Sequence, residues 1–162
     1  MSGAVTAILE ALNEQQREAV EYGDGPLLIF AGAGSGKTRV LTHRAAYLIE
    51  ARGVPPANIL AVTFTNKAAE EMRGRLRRLL GRRHWEMWIG TFHAICARLL
   101  RADGERVGVP SKFAVFDESD QLALMKECLR DLSLDLEQYP PARILSDISH
   151  AKNELIGPRD YY

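Results

Sequence analysis

Apolar residues follow two kinds of spacing along this chain. Three short runs, at 27–30, 59–63 and 87–90, are nearly continuous and predict buried β-strands. Elsewhere in the first two thirds of the chain, apolar residues recur every three or four positions, which predicts helices. These helical segments are 1–21, 37–52, 67–80 and 92–100. Because strands that alternate with helices are joined by crossovers into a parallel sheet, the predicted fold class is α/β.

Residues with known capping preferences stand at the ends of these helical segments. Four polar residues precede helices and are N-cap candidates: Asn13, Thr65, Asn66 and Thr91. Gln16 lies three positions after the first of them and predicts a capping box. Two glycines predict helix stops: Gly53 and Gly81.

The last third of the chain has a different character. Three chain-breaking residues interrupt the helical spacing: Gly104, Gly108 and Pro110. The run 113–116 then predicts a brief strand, and helical spacing follows over 117–132 and 142–155. The sequence therefore predicts a first domain over 1–110 and a mostly α-helical unit over 111–162.

The bend between the first predicted strand and the next helix has the composition of a phosphate-binding loop. Small residues there let successive backbone N–H groups curl round a phosphate, and the new helix adds the positive end of its dipole. Lys37 supplies a cation to the β- and γ-phosphates, and Thr38 offers a hydroxyl to Mg²⁺. Strand, loop, Lys-Thr and helix in this order predict a Walker A motif that binds ATP and Mg²⁺. Its residues are Ala31, Gly32, Ala33, Gly34, Ser35, Gly36, Lys37 and Thr38.

Ala31 stands where the usual Walker A pattern has its first glycine, which is a mild departure. The alternative interpretation is a glycine-rich turn between strand and helix that binds nothing. The complete order of strand, loop and helix favours phosphate binding.

The formal net charge is zero, so overall charge does not indicate a nucleic-acid partner, although a local basic patch can still meet a polyanion. The predicted helix at 67–80 and the residues after it are rich in arginine: Arg73, Arg75, Arg77, Arg78, Arg82 and Arg83. These side chains are either a solvated helix face or a surface that follows a phosphate backbone. The sequence leaves both interpretations open.

Cys96 and Cys128 are far apart and fall in apolar helical patterns. They predict reduced core thiols of a cytoplasmic protein rather than a disulfide or a metal site. No basic-then-apolar signal segment opens the chain, and no apolar run approaches the length needed to cross a membrane, so no membrane association is expected.

Phe113 to Glu118 is a second candidate for nucleotide chemistry. ATP hydrolysis needs a second carboxylate to hold Mg²⁺, and such residues normally follow four apolar residues that form a buried strand. Asp117 and Glu118 fit that template. Asp117 also fits an N-cap for the helix that follows it, and the pattern alone leaves both interpretations open.

Four blocks of the sequence together resemble one family. The block 12–16 resembles a Q motif, 31–38 the Walker motif, 63–72 motif Ia, and 91–93 motif Ib. Their order and spacing resemble the amino-terminal part of the UvrD/PcrA/Rep family of superfamily 1A DNA helicases. The resemblance covers nearly the whole chain.

The resemblance implies roles for particular residues. Gln16 would hydrogen-bond the adenine edge, because an amide can donate and accept at once. Arg39 would lie along the adenine face, as a planar guanidinium can. Phe64 would stack a base of single-stranded DNA, and without the resemblance it would be read as a core aromatic. The other implied contacts to that strand are Thr65, Asn66, Thr91 and His93.

The resemblance also implies that the chain is one piece of a motor. Family members are several times longer and hold ATP between two RecA-like domains, each interrupted by an inserted subdomain. Residues 1–110 would be the first part of motor domain 1A, a partial P-loop NTPase parallel sheet flanked by helices. Residues 111–162 would open the α-helical inserted subdomain 1B, which makes Asp117 a helix cap. Strands arriving later in the full chain would leave an exposed sheet edge here.

The implied activity is that of an ATP-dependent 3′–5′ helicase or translocase acting on single-stranded DNA and on single-strand/duplex junctions, in repair or replication. Its partners would be that DNA and the remainder of the helicase chain. The fragment alone would bind nucleotide and DNA weakly, without hydrolysing ATP or unwinding. Two alternatives are a self-contained small P-loop kinase that uses Asp117 and Glu118 for Mg²⁺, and a nucleotide-gated DNA clamp without turnover.

Overall fold

The chain forms two compact units, residues 1–111 (unit 1) and residues 112–162 (unit 2). The structure is a computed structural model, and it describes residues 3–32 and 34–161. Unit 1 contains five α-helices and two strands among its described residues: α1 (Gly3–Glu10), α2 (Glu14–Glu21), α3 (Lys37–Arg52), β1 (Leu60–Thr63), α4 (Asn66–Leu80), β2 (Trp88–Thr91) and α5 (Phe92–Asp103). Short 3₁₀ segments join them: Pro56–Asn58, Gly81–Glu86 and Gly104–Val107.

The two strands pair in parallel, as the alternation of strands and helices predicts. Leu60 lies opposite Trp88, and Thr63 lies opposite Thr91. Helix α4 forms the crossover between the strands and packs against both of them. Within the described residues the sheet has these two strands, so each retains an open edge. The α/β arrangement and the strands predicted at 59–63 and 87–90 are confirmed.

The strand predicted at 27–30 is wrong. No residue from 26 to 32 belongs to a strand, and the side chains of Leu28 and Phe30 are 76% and 90% exposed. An apolar run gains ladder hydrogen bonds and a buried face only when another strand lies beside it. Among the described residues, β1 and β2 pair with each other and not with this run. It therefore stays exposed and outside the sheet.

The predicted helix ends in unit 1 are confirmed. The Asn13 side chain accepts a hydrogen bond from the backbone amide of Gln16, and the two residues form a capping box. Thr65 and Thr91 cap α4 and α5 in the same way. Gly53 ends α3 with a positive φ of 68°, a conformation that glycine adopts without steric cost.

Two apolar clusters hold unit 1 together. One joins α3 and α4 to the sheet, with Ala46, Leu76 and Ile89 buried at its centre. The other packs the first two helices and the start of α3 around the buried Leu9 and Val20. Helix α3 takes part in both clusters and is the element on which the unit is assembled.

Unit 2 is helical, as predicted, with α6 (Glu118–Asp131) and α7 (Pro141–Asn153) packed against each other. Leu129 and Ala151 are its buried residues within these helices. The brief strand predicted at 113–116 is wrong, because none of these residues belongs to a strand. Within the described residues, the sheet contains only strands of unit 1.

Both cysteines are free thiols, but the prediction that they lie in the core is wrong. Cys96 and Cys128 are exposed, whereas the next-door residues Ile95 and Leu129 are buried. Successive side chains on a helix point about 100° apart, so of two adjacent apolar residues only one faces the core. Across the described part of the chain, no helix has both the length and the apolar character required to cross a membrane.

Arg44 ties the end of α2 and the following turn to α3. Its guanidinium donates to the carbonyl oxygens of Ala19, Val20, Tyr22 and Gly23 at 2.9–3.2 Å. A planar fork with five N–H groups suits such a set of acceptors.

We expect Arg44→Met to lower the free energy of unfolding of unit 1 by about 1.5–3 kcal/mol, because these charge-assisted bonds are lost while the apolar stem is kept. Both tryptophans, Trp85 and Trp88, lie in unit 1, so urea denaturation followed by tryptophan fluorescence measures this change. The matched control is Arg52→Met, at an exposed position near the end of the same helix, with an expected change below about 0.5 kcal/mol. Equal effects of the two substitutions would contradict the role of Arg44.

Candidate functional site

The predicted phosphate loop, residues 31–38, has a backbone that depends on glycine. Gly34 and Gly36 have φ values of 79° and 87°, in the left-handed region that other residues rarely adopt. Gly36 is the N-cap of α3 and has no side chain to cap the first amides of that helix. Those amides and the helix dipole favour an anion at this end. The predicted contact at Ala33 lies outside the described residues.

Lys37 and Ser35 both donate to carbonyl groups of the loop. The Lys37 ammonium lies 2.6 Å from the Ala31 oxygen and 2.7 Å from the Gly32 oxygen. The Ser35 hydroxyl donates to the same Gly32 oxygen at 2.7 Å. The cation is therefore held over the loop, where an anionic phosphate would be a stronger partner than two neutral carbonyls.

Gln16 joins the predicted Q motif to this loop. Its Nε2 donates to the Ser35 carbonyl at 3.0 Å, and its Oε1 accepts from the Asn13 amide at 3.3 Å. A Cβ atom on Gly36 would lie only 2.8 Å from that Nε2, so a larger residue there would require the Gln16 side chain to shift. Because an amide group has two N–H bonds and two lone pairs, one of each is still available to an adenine edge.

Arg39 lies beside the same helix start, and its guanidinium donates to the Ala11 carbonyl at 3.4 Å. The structure therefore brings together three predicted contacts, Gln16, Lys37 and Arg39, around one loop. Nineteen residues separate Gln16 from the Ser35 carbonyl that it binds, so the fold and not local sequence creates this proximity.

A basic pocket of about 360 Å³ continues from Arg39, lined by Arg39, His43, Arg75, Arg78 and Leu79. Burial lowers the pKa of His43, and the charges of Arg39 and Arg75 lower it further, against the raising effect of its hydrogen bond to the Arg39 carbonyl. The pocket therefore resists a further positive charge and favours an anion. Sequence reasoning missed His43, and its place four residues after Arg39 on one helix was the available signal.

The side chains predicted to contact DNA gather where the two strands end. Because Thr63 and Thr91 are opposite each other in a parallel pair, the residues that follow them lie side by side. The rings of Phe64 and Phe92 are 5.3 Å apart between centroids. Phe64 is 87% exposed, so the interpretation of this residue as a core aromatic is wrong. Asn66 and His93, the first residue of α4 and the second of α5, are also exposed.

Thr65 and Thr91 also act as helix N-caps. Their hydroxyl oxygens accept hydrogen bonds from the amides of Ala68 and Ala94, at 3.1 and 3.2 Å. Each hydroxyl keeps its proton as a donor. Thr91 is buried, so its outward surface is smaller than that of its neighbours.

Some arginines of the stretch 73–83 are held by contacts within the protein. Arg73 pairs with Glu70 and donates to the Ile89 carbonyl at 2.7 Å, which fastens α4 to β2. Arg83 pairs with Glu50. Arg75 and Arg78 line the basic pocket, and Arg75 also pairs with Glu71 at 4.0 Å. Arg73 and Arg83 are thus held by contacts within the protein, and a phosphate-binding role for the other arginines stays a prediction.

Asp117 is the N-cap of α6, and this prediction is confirmed. Its carboxylate accepts from the Asp120 amide at 2.9 Å and from the Ser119 hydroxyl at 2.8 Å. The Asp120 amide first, and the Ser119 hydroxyl second, hold the pKa of Asp117 below its ordinary value. In the described part of the chain, no group of three or more His, Cys, Asp or Glu side chains is arranged to hold a metal ion. The Mg²⁺ contact at Thr38, in the first turn of α3, stays a prediction.

Comparison with known proteins gives a consistent result. A family model described as the UvrD/REP helicase N-terminal domain matches residues 12–161. The chain is 51% identical over 154 residues to ATP-dependent DNA helicase PcrA of Bacillus subtilis (strain 168), a match covering 95% of this chain and 21% of that protein. It is 52% identical over 159 residues to PcrA of Leuconostoc citreum, with 98% and 21% covered.

A third relative, PcrA of Staphylococcus aureus (strain Mu50 / ATCC 700699), is 47% identical over 156 residues, covering 96% of this chain and 21% of the relative. The chain thus spans about a fifth of the length of the curated relatives it matches. The family model covers all four sequence blocks that carry the resemblance. By this match, the chain belongs to the UvrD/REP helicase N-terminal domain family.

Proposed function

We propose that this chain is the amino-terminal ATP-binding portion of an ATP-dependent DNA helicase that moves 3′ to 5′ along single-stranded DNA in repair or replication. The observation that carries the proposal is the meeting of Gln16, Lys37 and Arg39 at a loop built on positive-φ glycines. Relatives that align with nearly all of this chain are named ATP-dependent DNA helicases, which supports it.

In this proposal the phosphate loop binds the triphosphate of ATP. The free amides at the start of α3 donate hydrogen bonds to phosphate oxygens. Lys37 exchanges the carbonyls of Ala31 and Gly32 for the β- and γ-phosphates. Gln16 uses its remaining donor and acceptor on adenine, while Arg39 lies along the base. The hydroxyl of Thr38 would help to hold Mg²⁺, and the bound ion would supply positive charge to the phosphoryl group.

Single-stranded DNA would cross the ends of the two strands. Phe64 presents an open ring on which a base of any sequence can stack. The neighbouring polar residues would contact the same DNA strand: Thr65, Asn66, Thr91 and His93. The phosphate loop and Phe64 belong to the same compact unit.

In the whole protein, residues 1–110 would be the first part of motor domain 1A and residues 111–162 the start of subdomain 1B. The remainder of the helicase chain would supply the carboxylates that hold Mg²⁺ and orient water, since the described residues contain no such cluster. The chain alone would then bind ATP without hydrolysing it and contact DNA without unwinding it. We place the parent protein in the cytoplasm, at single-strand/duplex junctions of DNA.

We expect Lys37→Ala to weaken binding of ATP by roughly 10- to 100-fold, because a cation facing two phosphates is lost. Isothermal titration calorimetry of the 162-residue chain in magnesium buffer measures this, with folding checked by circular dichroism. Lys112→Ala, an exposed lysine of unit 2, is the matched control and should leave affinity unchanged. A folded wild-type chain without affinity for ATP would refute the proposal.

Phe64→Ala should weaken binding of oligo(dT) by roughly 5- to 100-fold, because the stacking surface for a base is removed. Fluorescence anisotropy of a labelled oligonucleotide at low salt measures the change. ATP affinity should stay the same in this variant, since Phe64 is not part of the phosphate loop. Trp85→Ala removes another exposed aromatic of unit 1 and serves as the control. DNA affinity equal to that of the wild type would exclude Phe64 from the DNA site.

Asp117→Ala should leave Mg²⁺-dependent ATP affinity unchanged and loosen the start of α6, because Asp117 acts as a cap. Calorimetry with and without Mg²⁺ tests the first expectation, and circular dichroism tests the second. The lowered pKa means that the stabilisation is present above the ordinary aspartate pKa and is lost as the pH falls through the lowered value. Asp117→Asn keeps a capping oxygen and should abolish this titration. A large loss of Mg²⁺-dependent affinity would favour the small-kinase alternative.

A further inference from the structure

From the geometry of the Phe64–Phe92 pair, we propose that Phe92 is a positioning residue that holds the Phe64 ring ready to stack on a DNA base. The inference rests on the DNA-stacking role proposed above for Phe64. It gives a function to Phe92, an aromatic side chain of the motif Ib block to which the sequence analysis assigned none.

The sheet register brings the two rings together. Thr63 and Thr91 are the last residues of β1 and β2 and lie opposite each other. Phe64 and Phe92 follow them directly and therefore leave the sheet at the same edge. Their ring centroids are 5.3 Å apart and their planes are inclined by 45°. Aromatic pairs within about 4.5–7 Å attract each other beyond simple burial of area.

The two residues differ in how firmly their backbones are held. Phe92 is the first residue of α5, whose start is fixed by the Thr91 cap and by the buried Ile95 one turn later. Phe64 lies in the short bend between β1 and α4. Phe92 is thus the anchored partner, and its ring limits the positions that the Phe64 ring can occupy.

The exposures show which ring is left for a ligand. Phe64 is 87% exposed and Phe92 is 46% exposed. The contact with Phe92 therefore leaves most of the Phe64 side chain accessible to a base. A side chain so exposed would otherwise lose rotamer freedom on binding, which opposes association. Contact with Phe92 already restricts the rotamers of Phe64 in the free protein, so less side-chain entropy is lost when DNA binds. This is preorganisation of a stacking platform.

The test separates base stacking from backbone contacts. Affinities of the 162-residue chain are measured by anisotropy for oligo(dT) and for an abasic oligonucleotide of equal length, at one fixed low salt concentration. Phe92→Leu keeps an apolar side chain without the ring and should weaken oligo(dT) binding roughly 3- to 10-fold. It should leave the abasic affinity within about twofold, because phosphate contacts are retained. Phe92→Tyr restores the ring and should bind like the wild type.

The double variant carrying Phe64→Ala and Phe92→Leu should bind oligo(dT) no more weakly than Phe64→Ala alone, because Phe92 acts through Phe64. Trp85→Ala is the control and should match the wild type on both oligonucleotides. If Phe92→Leu lowers both affinities equally, its role is structural and the inference is overturned. If it lowers neither while Phe64→Ala lowers oligo(dT) binding, the inference is again overturned and the proposed function stands.

A wild type that does not prefer oligo(dT) over the abasic strand would instead overturn the stacking role of Phe64 itself, and the inference with it. A measurement without DNA provides a second check. With 4-fluorophenylalanine at the five phenylalanine positions, the ¹⁹F signal lost in Phe64→Ala identifies Phe64. Phe92→Leu should shift that signal by removing a neighbouring ring. An unshifted signal would show that the rings do not pair in solution and would overturn the inference.

Discussion

The contact between Gln16 and the phosphate loop is the constraint on which the candidate nucleotide site depends. Gly36 lies against this contact, with a positive φ that glycine adopts without steric cost and with no Cβ atom to displace the Gln16 amide from the Ser35 carbonyl. The capping box at Asn13 fixes Gln16 from the other side. One side chain thereby links the start of α2 to the start of α3, so the adenine-reading and phosphate-binding parts of the proposed site share a rigid frame.

A second constraint, the parallel register of β1 and β2, organises the proposed DNA surface. Residues 64–66 and 91–93 are far apart in the chain and become neighbours only because both strands end at the same edge. The helices that follow are then aligned by their threonine caps. Local capping and strand pairing therefore act together, and either alone would leave the polar residues without a common surface.

Features governed by local chemistry could be predicted from the sequence, and features governed by burial could not. Capping at Asn13 needs only the residues within one turn and was predicted from them, whereas the cap at Asp117 was preferred over a Mg²⁺ site only through the family resemblance. The strand at 27–30 depends on strands beside it, which the described chain does not provide. Burial within a helix was also not predictable at Cys96, because the spacing could not show whether Cys96 or the adjacent Ile95 faces the core. The pocket around His43 is completed by Arg75 and Arg78 of α4, so the spacing of Arg39 and His43 along α3 could indicate only one side of it.

The exposed apolar run at 27–30 has a consequence for the colloidal behaviour of this polypeptide. Leu28 and Phe30 face water, the sheet has open edges, and the formal net charge is zero at pH 7. Electrostatic repulsion between copies is then weakest near pH 7, while the exposed apolar surface favours their association. Solubility should consequently pass through a minimum close to pH 7 and improve in mildly alkaline buffer, where each molecule gains negative charge.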